Sequence, residues 1–432
     1  MADDQARIRI LIEPLGDHSL NLGDVAMRQV AATRLLTLWP DAEISLLTKN
    51  PGELPESLAA TVTPLDVAAQ RAWLHEAIPR SVLTRMPKTM AERLRTAERT
   101  LRMRWPRGAT RVVATKRRLL RQQVDRAEDF VDAVLSADLV FVSGAGAIND
   151  HFGARISGAF ELVSLATGHG IPTAMMGQGI GPLKDGATEQ LARRVLPSID
   201  LIGLRERRTG PPLLSGLGVS PDRIVVTGDD AVELAHALQR EELGTALGLN
   251  VRRAGYVALT PEDLTSIASV IEAFLEPRAV ELVAVPTSRH PTEADLELAQ
   301  SVANGAGAIL RDGPEFRTPE DAVERIGDCR VLLTGSYHAA VFALAQGISA
   351  VCLALNPYYE QKFLGLADLF GEGCFVVKRD SAGQVHELEA ALARAWETAD
   401  AHRAGLLAAA GEQVQSGRDA YERIRRIVEE RR

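Results

Sequence analysis

The sequence predicts an α/β protein made of two parallel-sheet domains facing each other across a cleft. Three observations carry this expectation: the length of the chain, two successive series of alternating strand and helix signals, and glycine-bearing loops directly after the strand runs. At 432 residues the chain is longer than one ordinary domain and suggests two or three. Hydrophobic residues at 46% and charged residues at 25% leave enough apolar material for two cores. Strands that alternate with helices pair in parallel, because each helix carries the chain back to the same end of its sheet.

The first series opens with a strand from Arg7 to Glu13, the loop PLGDHSLNLGD and a helix from about Val25 to Leu38. Ala42 to Thr48 reads as the second strand, and residues 71–133 read as mostly helical, divided by Pro79, Pro87 and Pro106. Leu139 to Ser143, LVFVS, is the near-continuous apolar run of a strand covered on both faces, and it leads through GAGAIND into a helix ending near Ala166. Pro172 to Met176 is another strand, ending at GQGIGP. A helix from Ala187 to Leu196 and strands at Leu201–Leu204 and Ile224–Thr227 complete this half. The second series has strands at about Ala246–Val251, Val280–Pro286, Ala308–Leu310, Val331–Thr334 and Ala350–Leu355. The join lies in the charged helical segment from Val232 to Gly244. The expected organisation is an N-terminal domain at 1–240 with a basic helical insertion at about 71–133, a C-terminal domain at 245–384, and helices at 385–432 that pack back on the N-terminal domain.

Several function classes fall away on composition. Cys329, Cys352 and Cys374 contain no CxxC pair, so neither a zinc site nor a disulfide framework is expected, and a reducing cytoplasm is the simplest setting. The acidic start MADDQ with a short apolar run is not that of a secretory signal, and no run approaches the roughly 20 apolar residues that span a bilayer. There is no P-loop GK[ST] and no HExxH. GAGAIND starts like a dinucleotide fingerprint, but Asn149 stands at the last glycine position, so no nicotinamide cofactor is expected. Gly228-Asp229-Asp230 could hold a metal, but adjacent aspartates after a strand more often cap the next helix, and no metal is assigned.

The chemistry is expected where strands end. In VLLTGSYHAAVFALAQG a buried strand turns at Gly335-Ser336 into a helix whose first residues are Tyr337 and His338. Open α/β sheets bind ligands at the carboxyl ends of their strands, and a helix amino terminus attracts anions. His338 either acts there as an acid or base or simply caps its helix. Three loops should gather at such an edge: Asn21, Gly23 and Asp24 in NLGD, Gly144, Gly146 and Asn149 in GAGAIND, and Gln178 and Gly179 in GQGIGP. Glycines let backbone amides approach a phosphate or sugar, and the amide and carboxylate side chains can bond hydroxyls. Arg205, just beyond LIGL, can clamp a carboxylate or phosphate, whereas Arg207 and Arg208 read as solvated.

Taken in order, NLGDVAM, FVSGAGAINDHF, MGQGIGP, GLRERR with SGLGV, VVTGDDAVEL, GLNVR, TGSYHAAVFALAQG and NPYYEQKFLGLADLFG resemble the polysaccharide pyruvyl transferase family, from about Ile8 to Gly371. The resemblance implies a GT-B-like fold of two Rossmann-like domains. It also implies phosphoenolpyruvate as donor substrate with no cofactor, and a pyruvate ketal bridging two hydroxyls of a glycan or glycan precursor as product. By the same resemblance the family's arginine, histidine and lysine map onto Arg205, His338 and Lys362. His338 and Arg205 are the expected catalytic residues, and Lys362, with Ser336 and Tyr337 at the helix start, is expected to join the loop residues in holding substrate. The family often carries arginine two residues before the histidine, where this chain has Ser336. The alternatives are a GT-B glycosyltransferase using a nucleotide sugar and a sugar-binding relative without chemistry. The acceptor and the oligomeric state are not legible.

Between Arg80 and Arg126 there are 15 Lys and Arg against three acids, in a chain whose formal net charge is −8. A solvated set of helices is one reading, and attraction to an anionic membrane surface or lipid-linked sugar is another, with the protein peripheral at the inner face. Nucleic acid is not expected as a partner, because Trp105 is the sole aromatic among these charges.

Overall fold

The computed structural model describes residues 7–15, 20–49, 59, 62–74, 84–119, 127–252, 259–290, 295–313, 316–379 and 384–432. The α/β expectation is met by two sheets in which every strand pair is parallel. The first contains β1 (Arg9–Pro14), β2 (Glu43–Thr48), β3 (Val62–Asp66), β4 (Leu139–Ser143), β5 (Thr173–Gln178), β6 (Leu201–Leu204) and β7 (Ile224–Val226), in the order β3-β2-β1-β4-β5-β6-β7. The second contains β8 (Ala246–Asn250), β9 (Leu282–Ala284), β10 (Leu310–Arg311), β11 (Cys329–Thr334), β12 (Ser349–Ala354) and β13 (Cys374–Lys378), in the order β10-β9-β8-β11-β12-β13.

The apolar runs explain which strands are central. Every residue of β4, β5, β8 and β12 is buried, as strands covered by helices on both faces must be. Helix starts follow their caps. Asn21 accepts from the amide of Gly23 at 3.1 Å to open the helix Leu22–Leu38, and Thr260 and Thr318 close capping boxes before Pro261 and Pro319. Pro87 and Pro106 stand at the starts of the helices Lys88–Arg104 and Pro106–Leu119, whereas Pro79 lies outside the described residues.

Two strands escape the sequence reading. β3, VTPLD, contains a proline, and β13 is only partly buried, so neither shows the apolar run of an interior strand. Both are sheet edges, where proline and incomplete burial are tolerated.

Strand order reverses between β1 and β4 in one sheet and between β8 and β11 in the other, and such switch points are where open sheets bind ligands. Backbone contacts tie the two halves at this level. The amide of Leu22 donates to the carbonyl of Thr287 at 3.0 Å, that of Arg289 donates to Leu20 at 2.7 Å, and Asn21 bridges to Ser288.

The last helix, Ala399–Arg431, runs for 33 residues across both sheets. Leu406 and Ala410 belong to the core of the second sheet, and Tyr421, Ile424 and Val428 to that of the first. A buried network anchors it. Arg34 donates to Asp230 and to Glu233, both at 2.6 Å, and lies 5.0 Å from the Tyr421 ring centroid, while the Tyr421 hydroxyl donates to Asp230 at 3.2 Å. Three elements meet there: the first helix, the helix Ala231–Ala237 that leads toward β8, and the last helix. Because Arg34 and Asp230 are both buried, removing one strands the other's charge. Arg34→Ala should therefore destabilise the chain by about 3–5 kcal/mol in chemical denaturation. A loss below about 1 kcal/mol would put the pair on the footing of a surface ion pair.

Candidate active site

Arg205 is the centre of the site. It follows β6, is 2% exposed, and donates to the Asp229 carboxylate at 3.2 Å from the loop after β7. Its guanidinium carbon lies 4.1 Å from the centroid of the Tyr337 ring, a cation–π contact that reaches across to the second domain. A guanidinium buried this deeply needs such partners, since an isolated charge there would be expelled.

His338 enters from the opposite switch point, in the first turn of the helix Tyr337–Ala345. It does not cap that helix, whose cap position is occupied by Ser336. Its Nε2 is buried without a hydrogen-bond partner among the described residues and lies 3.8 Å from an Asp229 oxygen, beyond hydrogen-bond reach. Burial, then the positive charges of Arg205, Arg252 and Lys362, hold its pKa well below the ordinary 6.5, so the resting imidazole is neutral. Lys362 sits 4.1 Å from the Tyr358 ring centroid. Burial and the neighbouring Arg205 and Arg252 likewise hold its pKa well below the ordinary 10.5, against the pull of Asp24 and Asp229. Asp24, in the first turn of the first helix, is pushed up by burial while Arg28, Arg252, Arg205 and Lys362 oppose the shift.

The glycines are required by these side chains. A Cβ on Gly23 would lie 1.9 Å from Cγ of His338, one on Gly146 2.6 Å from Arg205, and one on Gly179 2.7 Å from Arg205. Gly144 has a different neighbourhood, packing on Met27 and the carbonyl of Gly177. Beside the cations opens a cavity of about 600 Å³, with Ile180, Leu213, Tyr337 and Tyr358 among its lining residues together with Arg205 and Lys362. It is chiefly apolar with a few convergent charged groups, the character of a small-molecule site.

Several residues expected to touch substrate make bonds to the scaffold. Gln178 is fully buried and its amide nitrogen donates to the carbonyls of Val142, Ser143 and Met176. Asn149 donates to the Gly146 carbonyl at 2.8 Å and accepts from the amide of His151 at 2.9 Å. Ser336 is buried against the Thr287 hydroxyl at 2.9 Å, and Asn21 is the helix cap. These four hold the loops that hold the site. Arg207 and Arg208 are exposed, as expected, and Arg208 pairs at the surface with Asp368 of the second domain at 2.9 Å. Asp229 and Asp230 bond Arg205 and Arg34 respectively, and among the described residues no His, Cys, Asp and Glu group has the arrangement of a metal site.

Arg28, Arg252 and Tyr358 were not singled out from the sequence, and Asp229 was weighed there only as a metal ligand or helix cap. Arg252 had a signal: it follows β8 in GLNVR as Arg205 follows β6 in GLRER, an arginine at the carboxyl end of an apolar strand. β8 pairs with β11 so that Asn250 opposes Thr334, which places Arg252 beside the turn at Gly335-Ser336.

The sequence pattern of the family of polysaccharide pyruvyl transferases matches residues 21–357, the span that carries every one of these loops. The chain belongs to that family. It is a transferase, and the GT-B-like arrangement of its two sheets recurs in solved structures of low sequence identity. A putative UDP-N-acetylglucosamine 2-epimerase from Listeria monocytogenes is 12% identical with a TM-score of 0.59, each chain being covered to 98%. A glycosyltransferase from Rickettsia africae is 10% identical with a TM-score of 0.54, covering 98% of this chain and 99% of that one. The UDP-GlcNAc 2-epimerase from Neisseria meningitidis, solved bound to UDP-GlcNAc, is 10% identical with a TM-score of 0.55, covering 96% and 99%. No curated protein sequence matches the chain.

Two outcomes follow from the geometry. Gly23→Ala should lower turnover at least ~10-fold while the fold survives, because the added methyl overlaps the imidazole of His338; unchanged turnover would mean the imidazole has no fixed working position. An anion bound among Arg205, Arg252 and Lys362 offsets their charge and raises the pKa of His338 and Lys362. Binding of an anionic ligand there should therefore take up protons. Its affinity should rise as pH falls through the bound-state pKa of each group and level off below the free-state value. Calorimetry in two buffers of different ionisation heat reads the uptake, and binding without proton exchange contradicts it.

Proposed function

We propose that this transferase moves the enolpyruvyl group of phosphoenolpyruvate onto two hydroxyls of a sugar, in a glycan or glycan precursor, to form a pyruvate ketal. The observation that carries the reading is a neutral histidine set among buried cations. Arg205, Arg252 and Lys362 offer positive partners for a donor with both a carboxylate and a phosphate. Arg252 also answers the absence of arginine at Ser336, because it brings a guanidinium to the same turn from the adjacent strand.

In this mechanism the cations fix the donor with its methylene carbon toward His338. Neutral Nε2 accepts the proton of the first sugar hydroxyl and delivers it to the methylene carbon, which becomes the methyl group. The hydroxyl oxygen bonds to the central carbon, where positive charge develops. The second hydroxyl then bonds the same carbon as the carbon–oxygen bond to phosphate breaks, and its proton leaves with phosphate. Every atom of donor and diol is then accounted for in ketal and inorganic phosphate. General acid–base catalysis of this kind contributes ~10²–10⁴-fold.

A phosphate-release assay with phosphoenolpyruvate and a panel of glycans, read by mass spectrometry for the ketal adduct, tests the reaction. His338→Ala should lose ~10²–10⁴ in kcat with folding intact, and Arg205→Lys should raise the donor KM by about one to two orders of magnitude, since lysine reproduces neither the fork nor the stacking. The Neisseria structure holds a nucleotide sugar on the same fold, so UDP-GlcNAc is the control. Thermal stabilisation by it and not by phosphoenolpyruvate would transfer the reading to a nucleotide-sugar transferase.

A further inference from the structure

The cleft makes no use of the basic insertion, and the surface of that insertion is unusual. The helix Lys88–Arg104 packs with one side inward. Ala91 and Arg102 are buried, Arg102 donates to the Trp73 carbonyl at 2.6 Å, and Arg99 pairs with Glu161 at 2.6 Å. Its other side carries Met90, Leu94, Ala97 and Leu101, whose i, i+4, i+7, i+11 spacing sets them in one stripe. Met90 is 51% and Leu101 61% exposed; Trp105, just past the helix end, is 69% exposed, and Val112 on the following helix 59%. Half of the large hydrophobics exposed among the described residues thus lie within this one short stretch.

Positive charge lies along one side of the stripe. On the helical wheel Arg93 and Arg104 fall at its border. The helix Pro106–Leu119 contains no acidic residue, and its Arg111 and Arg118 are exposed. Apolar side chains scattered singly on a surface need no explanation, but a stripe of them bordered by arginines has the makeup of a helix lying in a bilayer interface. There the apolar residues enter the boundary of the acyl chains and the guanidiniums meet lipid phosphates. The strongly positive balance of residues 80–126 selects an anionic surface. Nucleic acid would pair with the arginines but give a Met–Leu–Trp stripe nothing to bury against.

We propose that residues 88–119 dock this protein peripherally on an anionic lipid bilayer, with Met90, Leu94, Leu101, Trp105 and Val112 inserted and Arg93, Arg104 and Arg111 on the headgroups. The helix Lys88–Arg104 runs parallel to the helix Gly153–Gly168: Arg99 meets Glu161, and Met103 and Trp105 share a groove with Gly168 and His169. Since Gly153 follows the GAGAIND loop, the Met90 end of the stripe points toward the side of the molecule that holds the cleft. The inference stands apart from the donor chemistry and its test reads no turnover.

Flotation of the full chain with vesicles decides it. The protein should float with phosphatidylcholine–phosphatidylglycerol vesicles and not with phosphatidylcholine alone, and added salt should weaken the binding. The double variant Leu101→Asp/Trp105→Asp should lower the bound fraction at least ~10-fold at an unchanged melting temperature, and Arg93→Glu/Arg104→Glu should do the same. Trp105→Phe, which keeps the apolar surface, should still float but lose the blue shift of tryptophan emission that the vesicles induce. Failure to float with anionic vesicles at low salt overturns the proposal. Wild-type flotation of the Leu101→Asp/Trp105→Asp variant does so as well. So does single-stranded DNA binding that depends on Leu101 and Trp105, which would assign the stripe to a polyanion.

Discussion

A guanidinium almost wholly withdrawn from water sets the terms for the rest of this molecule. Arg205 cannot stay charged at 2% exposure without compensation, and it finds Asp229 on one side and the Tyr337 ring on the other. Asp229 comes from the loop after the adjacent strand β7, and Tyr337 from the opposite domain. Stabilising one charge therefore joins two strand ends to the facing half of the protein. The same crowding dictates Gly146 and Gly179, where any side chain would strike the guanidinium.

Two levels of organisation support that centre. Below it, the amide nitrogens of Gln178 and Asn149, the Ser336 hydroxyl and the Asn21 side-chain oxygen are bonded within the loops, so the strand ends are braced before any ligand arrives. A catalytic group gains from such bracing, because a loose site forfeits the advantage of orientation. Beyond it, the Arg34–Asp230–Glu233–Tyr421 network fastens the long last helix where the chain passes from one sheet to the other. Asp229 and Asp230 are adjacent, so the anchor of the domain junction and the anchor of Arg205 occupy neighbouring positions in one loop.

The electrostatics of the cleft are those of a site waiting for an anion. Arg205, Arg252 and Lys362 all depress His338, and Arg205 and Arg252 depress Lys362. A negatively charged ligand relieves that mutual repulsion, so its arrival changes the protonation as well as the occupancy of the site. This coupling gives a neutral imidazole without an anion and a more basic one once an anion is in place, which suits the proposed role of accepting a proton and then delivering it.

Much of this was legible in the order of residues. The alternation of apolar runs and helix signals determined two parallel sheets, and apolar strands followed by glycine, arginine or histidine marked the edges where chemistry gathers. Those signals are local, since burial on both faces writes itself into consecutive residues. The edge strands β3 and β13 were lost because an edge needs no such run. Side-chain roles were less legible. Gln178 and Asn149 have the chemistry of sugar ligands, and only the folded chain shows their amides turned to the Ser143 and Gly146 carbonyls. Likewise nothing in sequence separation links Arg205 to Tyr337, Gly23 to His338, or Arg34 to Tyr421. The first two contacts exist because the two domains close on each other, and the third because the last helix folds back onto the first sheet; both are decided by which buried groups can find partners far away in sequence.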